Sequence, residues 1–246
     1  QLALALGMVD PETVYHELSE LSRLPDLMKS VLGSHEAVER FAEEWAPRRR
    51  DWAIVGSGPT RAAADEIRIK LSELCYKSIA TDYIEDKKHI DLSSEPLTLI
   101  CAAGLPLMAL KDAVKEVAIF KSHKSVPIVI ATEGFTAFEP YAAGVVYVPK
   151  TSEAASVLLN TLVGHLWGYY CAQAIDGVAE QLRHARALAV QVLNQGDAIA
   201  LSPSLLRQVR DLGRRFQDEL WKGRFNSSLS LEVGAKLGGL FQYFTG

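Results

Sequence analysis

The chain has 246 residues and a net charge of −4, which argues against a general nucleic-acid binder. At 48% hydrophobic and 23% charged it has the composition of an ordinary globular protein, and no apolar run is long enough to cross a membrane. Its three cysteines, Cys75, Cys101 and Cys171, lie far apart and read as buried reduced thiols, which points to a cytoplasmic setting.

Residues 1–6 (QLALAL) read as the end of a helix that begins earlier. Gly7 to Asp10 breaks it, with Asp10 as cap and Pro11 in the first turn of the next helix. Val14, Leu18, Leu21 and Leu24 make its apolar stripe, and Pro25 starts a separate segment that ends at Gly33. Ser34 caps a further helix with Val38, Phe41 and Trp45 on one face. Pro47 and the run Arg48-Arg49-Arg50 end it, and those cations complement the helix dipole.

The stretch from Asp51 to His89 organises the rest of the chain. Trp52 to Val55 is a short apolar strand, followed at once by Gly56-Ser57-Gly58. Helical spacing then runs from Thr60 to Tyr76 through Ala64, Ile67, Lys70, Leu71, Leu74 and Cys75, and Lys77 to Thr81 is a second strand. Strand, glycine turn, helix and strand begin a parallel α/β sheet. The glycines permit the sharp turn, and N–H groups at the helix start can face an anion. Gly56, Ser57, Gly58 and Thr60 are therefore the candidate substrate contacts.

Three more strands come next: residues 95–104, 126–131 and 144–149. Leu107 to Lys124 is helical, with Leu110, Val114, Val117 and Ile119 as core positions. Thr151 to Ile175 is a long apolar helix with Leu158, Leu162, Leu166 and Tyr169 as its buried stripe. Five strands with intervening helices predict a doubly wound, mostly parallel sheet ending near Asp176. A helix over 178–195, a loop over 197–203, an amphipathic helix over 204–221 and a glycine-weakened helix over 231–244 form a C-terminal extension.

Lys70 and Glu73 lie three residues apart on the first helix and share a face. Beside buried neighbours, the Glu73 carboxylate suits a general base reaching a cleft at the C-terminal edge of the sheet, although such a pair is often only solvated. His89 sits in a polar loop after the second strand. His165 falls within the apolar helix and reads as a core histidine, whereas His16, His35, His123 and His184 read as solvated. The glycine turn is an incomplete dinucleotide fingerprint: Arg61 stands at its third glycine, although Asp82 imitates the ribose-binding acid. No metal motif is present, and neither metal nor cofactor is expected.

The glycine turn, the helix ending Lys70-Leu71-Ser72-Glu73, the next strand and the Lys87-Lys88-His89 loop together resemble the second sugar-isomerase (SIS) domain of the glucosamine-6-phosphate synthase family. LALALG resembles the end of that family's first isomerase domain, and ELSELSRLPDLMKSVL through RRRDWAIVGSG resembles the linker into the second. The resemblance implies a three-layer αβα sandwich of flavodoxin-like type. It divides the chain into a helical leader (1–50), an isomerase domain (51–176) and a helical extension (177–246). In the family the glutamate moves a proton between C1 and C2 of the sugar, the lysine supports it and the histidine opens the ring. These roles fall on Glu73, Lys70 and His89.

This chain departs from the family pattern. His89 is followed by Ile90-Asp91 instead of Gly-Pro, the Ser/Thr-rich phosphate loop of the family's first domain is missing, and the family's catalytic tail is replaced by helices. The resemblance thus implies a fructose 6-phosphate or glucosamine 6-phosphate type isomerase and aminotransferase domain that needs a preceding isomerase domain. It also implies a homodimer that binds a phosphorylated hexose. The alternatives are a non-catalytic phosphosugar-binding domain for regulation or assembly, and a nucleotide-binding α/β domain.

Overall fold

The strand β1 (Trp52–Gly56) is buried at every position, as a strand covered on both sheet faces must be. So is β3 (Leu97–Cys101), and β4 (Val126–Thr132) is buried up to Thr132. With β2 (Ala80–Asp82) and β5 (Gly144–Val148) they form one sheet in the order β2-β1-β3-β4-β5, each neighbouring pair parallel. This is the flavodoxin-like order of a doubly wound sheet, fully parallel where a mostly parallel one was expected. The computed structural model describes residues 7–90, 95–194 and 203–245. The helical reading of residues 1–6, the position of Asp91 and most of the loop read over 197–203 lie outside them.

The helices are α1 (Pro11–Gly33), α2 (Glu36–Trp45), α3 (Thr60–Cys75), α4 (Lys87–Ile90), α5 (Leu107–Ser122), α6 (Glu153–Asn194), α7 (Pro203–Trp221) and α8 (Leu231–Thr245). Alternate strand residues point to opposite faces. Trp52, Ile54, Leu99, Cys101, Ile128 and Ile130 pack with α2, α3 and α6. Val55, Ile100, Val129 and Ala131 pack with Leu110, Ala113, Val117 and Phe120 of α5. On the first face α3 and α6 approach closely. A Cβ on Gly164 would stand 2.2 Å from Ile67 Cγ1, and one on Gly168 would stand 3.2 Å from Leu71 Cδ1.

Several elements differ from their sequence reading. Helix α1 runs through Pro25 without a break, because its inner residues Leu24, Leu27, Met28 and Val31 all pack on the first-face core. Ser34 ends α1 instead of capping α2, its hydroxyl turned back to Ser30 O at 2.8 Å. The second strand starts later, at Ala80, because Tyr76 takes a left-handed φ of 52° and the chain needs several residues to rejoin the sheet. The arginine run lies beyond the last turn of α2, where Arg48 and Arg49 stack over Trp45 and Arg49 pairs with Glu95 at 3.1 Å. In α6 the buried stripe is Ala155, Leu159, Val163, Trp167 and Cys171, whereas Leu158 and Tyr169 are exposed. A helix that is apolar nearly all round does not show which stripe faces inward.

Helix α6 also continues without interruption to Asn194, so the expected boundary near Asp176 falls inside one helix of 42 residues. Its distal half has its own reason to stay helical. Val178 and Leu188, with Leu182 and Ala185, pack with Leu205, Leu212 and Phe216 of α7, with Phe225 and with Phe241 of α8. This third core covers most of the apolar face of α7. It docks on the start of the sheet through Ser227 N–H to Pro47 O at 3.0 Å and Lys77 Nζ to Ser227 O at 3.2 Å.

Replacing Gly164 by Ala should destabilise the protein by about 2 kcal/mol, because overpacking against buried Ile67 outweighs the gain in helix propensity of about 1 kcal/mol. In a double-mutant cycle by urea unfolding, Ile67→Ala should remove most of that penalty. Additive losses would show that the two residues do not limit the approach of α3 and α6.

Candidate functional site

The glycine turn is tightly self-satisfied. A Cβ on Gly56 would stand 2.4 Å from Thr60 O, so only glycine fits, and Gly58 has a φ of 54°. Buried Thr60 accepts the Ser57 N–H at 3.1 Å, and its own hydroxyl lies 2.7 Å from Cys101 O, which ties the turn to the end of β3. The N–H groups of Arg61 and Ala62 reach back to Gly58 O and Pro59 O, both at 3.1 Å. Ser57 Oγ donates to Glu85 Oε2 and accepts the Ile84 N–H at 3.2 Å. Three of the donors expected to face an anion, the N–H groups of Ser57, Arg61 and Ala62, are thus used inside the turn, and a carboxylate stands beside it. Gly56, Ser57, Gly58 and Thr60 all have a structural role here.

The nearby acid is also engaged. Asp82 Oδ1 accepts the Tyr83 N–H at 2.8 Å and lies 3.8 Å from Arg61 Nη1. Arg61 also pairs with Asp65 at 3.2 Å and lies over the Tyr83 ring. The Asp82 carboxylate is therefore not presented to a ribose as the dinucleotide reading requires.

Helix α3 carries Lys70 and Glu73 away from this turn. A helix that follows a parallel strand runs back along the sheet, so its last turn lies at the strands' N-terminal edge. At 1.5 Å per residue, Glu73 is about 20 Å along the axis from Thr60. Lys77, just beyond α3, confirms that edge by donating to Arg50 O, before β1, at 3.1 Å. The expected placement of the pair at the C-terminal edge, reaching a cleft, is therefore corrected. Lys70 Nζ and Glu73 Oε2 do meet, at 3.1 Å, but on an outer face with the side chains 42% and 60% exposed. His89, exposed in α4 after β2, sits at the opposite edge, its N–H bonded to Asp86 O at 2.9 Å. The structure joins Lys70 to Glu73 and holds His89 apart from both.

Two further residues join the pair. Glu66, Lys70 and Glu73 fall at i, i+4 and i+7, one stripe of α3. At its upstream end His165 Nε2 of α6 lies 3.4 Å from Glu66 Oε1. His165 is half-exposed, not the core histidine expected, because Gly164 beside it faces Ile67 and turns residue 165 toward the rim of the contact. The shared stripe of Glu66 with Lys70 and Glu73 is readable in the sequence. Nothing local in the sequence signals His165. Two carboxylates, an ammonium and an imidazole can take up and return protons along a polyhydroxylated ligand. As a stabilising contact the exposed Lys70–Glu73 pair is worth at most about 1 kcal/mol.

Among the described residues no group of three metal-binding side chains occurs. The three thiols are free and buried. Burial pushes the Cys75 thiol up to about 11, and pushes Cys101 and Cys171 up as well. Since the thiolate is the nucleophile, a disulfide reagent at pH 8 should label native protein far more slowly than unfolded protein, which should release three equivalents. Fast native labelling would show an open thiol.

No family model matches the chain. Curated relatives do. The glutamine–fructose-6-phosphate aminotransferase (isomerizing) of Mycolicibacterium smegmatis is 30% identical over 166 residues, 65% of this chain and 26% of that protein. Its namesake in Methanosarcina mazei is 26% identical over 196 residues, 78% of this chain and 31% of that protein. Among solved structures, the C-terminal domain of glucosamine-fructose-6-phosphate aminotransferase from Francisella tularensis matches with a TM-score of 0.59 at 14% identity, over 68% of this chain and 47% of that one. The chain resembles these aminotransferases in sequence and has the sugar-isomerase fold. The Vibrio vulnificus NanR protein, solved with ManNAc-6P, shares the fold with a TM-score of 0.50 at 10% identity, over 78% of this chain and 73% of that one. The chain spans only about a quarter to a third of the two curated relatives' length.

Proposed function

We propose that these residues form a phosphosugar domain that supplies the proton-transfer face of a composite site for an aldose–ketose step on a fructose 6-phosphate or glucosamine 6-phosphate type hexose. Glu73 moves the proton between C1 and C2, and Lys70, at 3.1 Å, holds the carboxylate and stabilises charge on the neighbouring oxygens. Glu66 and His165 extend the same face. The observation that carries this reading is the pairing of Lys70 with Glu73 on an open stripe of α3, at the opposite sheet edge from His89. One hexose is roughly 10 Å long even with its phosphate, half the axial distance of about 20 Å between the edges. A single copy therefore does not bring Glu73 and His89 to one sugar. A second copy contributes His89, which makes the working unit a homodimer, and another isomerase domain holds the phosphate. The buried free thiols suit a reducing cytoplasm.

A second reading, phosphosugar binding without turnover, is favoured by the open position of the Lys70–Glu73 pair, whose exposure leaves the carboxylate in water instead of in a closed site. The two readings part on mixing. Glu73→Gln and His89→Ala copies, each at least a hundredfold less active alone, should regain up to about a quarter of the activity as heterodimers within the assembled protein. Fructose 6-phosphate should also shift the backbone amides of residues 66–73 in residues 1–246, while dilute monomer leaves the sugar unconverted. Conversion by monomer, or sugar shifts confined to the glycine turn, would overturn the composite site. Shifts on α3 without restored turnover would favour the binding-only reading.

A further inference from the structure

A different cavity opens where the extension meets the start of the sheet. It is an open groove of about 800 Å³ between the segment Arg48–Asp51, with Glu95, and the segment from Leu220 to Ala235. The extension's wall is mainly apolar, built from Leu220, Trp221, Phe225, Leu229 and Leu231, with Asn226 and Ser230 among them. Phe225 is buried and roots this wall in the third core, yet Trp221 and Leu231 are 89% and 92% exposed. Large apolar side chains left that open beside a cavity are unusual on a folded surface.

The facing wall is cationic. Arg49 and Lys124 share the Glu95 carboxylate, at 3.1 and 3.5 Å. Lys77 Nζ bridges the two walls through Arg50 O and Ser227 O. Among the described residues Arg48 and Arg50 form no ion pair, and Arg48 Nε is buried without a hydrogen-bond partner. Of the residues lining the cavity three are cations, Arg48, Arg49 and Arg50, against two acids, Asp51 and Glu95, in a chain whose net charge is −4. That local excess is opposite in sign to the whole molecule, so it selects for an anion.

A volume of this size, lined mainly by apolar side chains with a few converging polar groups, is the form of a small-molecule site. We propose that this cavity binds a small amphipathic anion, a planar apolar body bearing one carboxylate or phosphate. The body lies against Trp221 and Leu231, and the head is held by the Arg48 and Arg50 guanidinium groups, whose forked donors match either oxyanion. A free sugar phosphate fits poorly, because its hydroxyls would face five apolar side chains. The site is therefore distinct in chemistry from the α3 stripe, and it stands whether or not Glu73 acts on a sugar.

Isothermal titration of residues 1–246 with 2-naphthoate and with 1-naphthyl phosphate tests the proposal and distinguishes the two heads. At least one should bind saturably at one equivalent, 2-naphthylmethanol should bind at least tenfold more weakly, and acetate and inorganic phosphate should not bind. Trp221→Ala and Arg50→Gln, both at exposed positions, should each weaken the anion at least fivefold without changing the melting temperature. Equal affinity for the neutral alcohol, unchanged affinity in both variants, or no saturable binding of either anion up to millimolar concentration would overturn it. So would binding of an acidic polypeptide that neither small anion displaces.

Discussion

Everything on the first face of the sheet depends on how near α6 can come to α3, and that distance is set where Ile67 meets the bare backbone of Gly164. Ile67 is fully buried, so it has no room to yield. With the side chain of residue 164 reduced to hydrogen, the two helices close over Trp52, Ile54 and Leu99. The same contact has a polar result on its rim. It fixes the rotation of α3, so Glu66, Lys70 and Glu73 face outward together, and the rotation of α6, so His165 comes within 3.4 Å of Glu66. Core packing and the candidate chemistry are thus two sides of one helix pair.

The sheet's direction then divides the molecule into two edges. The C-terminal edge carries the glycine turn and, in α4, His89, while the N-terminal edge receives the end of α3, the arginine run and the docked extension. Ligands of open α/β sheets commonly sit beyond the strands' C-terminal ends. Here, at the C-terminal end of β1, the side chains of Thr60, Ser57 and Glu85 are all engaged with one another or with the end of β3. Paired but exposed charge lies on the flank of α3, and among the described residues Arg48 and Arg50 carry charge without an ion-pair partner.

Much of the fold was legible because parallel strands buried on both faces read as unbroken apolar runs. WAIVG, LTLIC and VPIVIA could hardly be anything else. Patterns failed where they were uninformative in principle. Residues 155–171 are apolar nearly all round, so the sequence could not choose between the Leu158 stripe and the Leu159 stripe. The long helix was read as ending at Ile175, but the packing of Phe216 and Phe241 with Val178 and Leu188 carries it on through Gly177. The pairing of Lys70 with Glu73 was readable from spacing alone. Their position at the N-terminal edge was also implied, since a helix after a parallel strand must run back. The contact of Glu66 with His165 was not readable, because it joins helices far apart along the chain.

The unbroken course of α6 also shapes how the molecule comes apart. Its first half is a wall of the sheet's core and its second half a wall of the extension's core, with no hinge between. A flexible linker would let each half unfold on its own. A continuous helix instead makes each core the end-stop of the other, since fraying begins at free ends and here both ends of the critical segment are embedded. Loss of the distal core would strip the partners from Val178 and Leu188 and shorten the helix by several turns, and the melting front would then advance along α6 toward Trp167. The two cores thus share a common cooperative unit through one element.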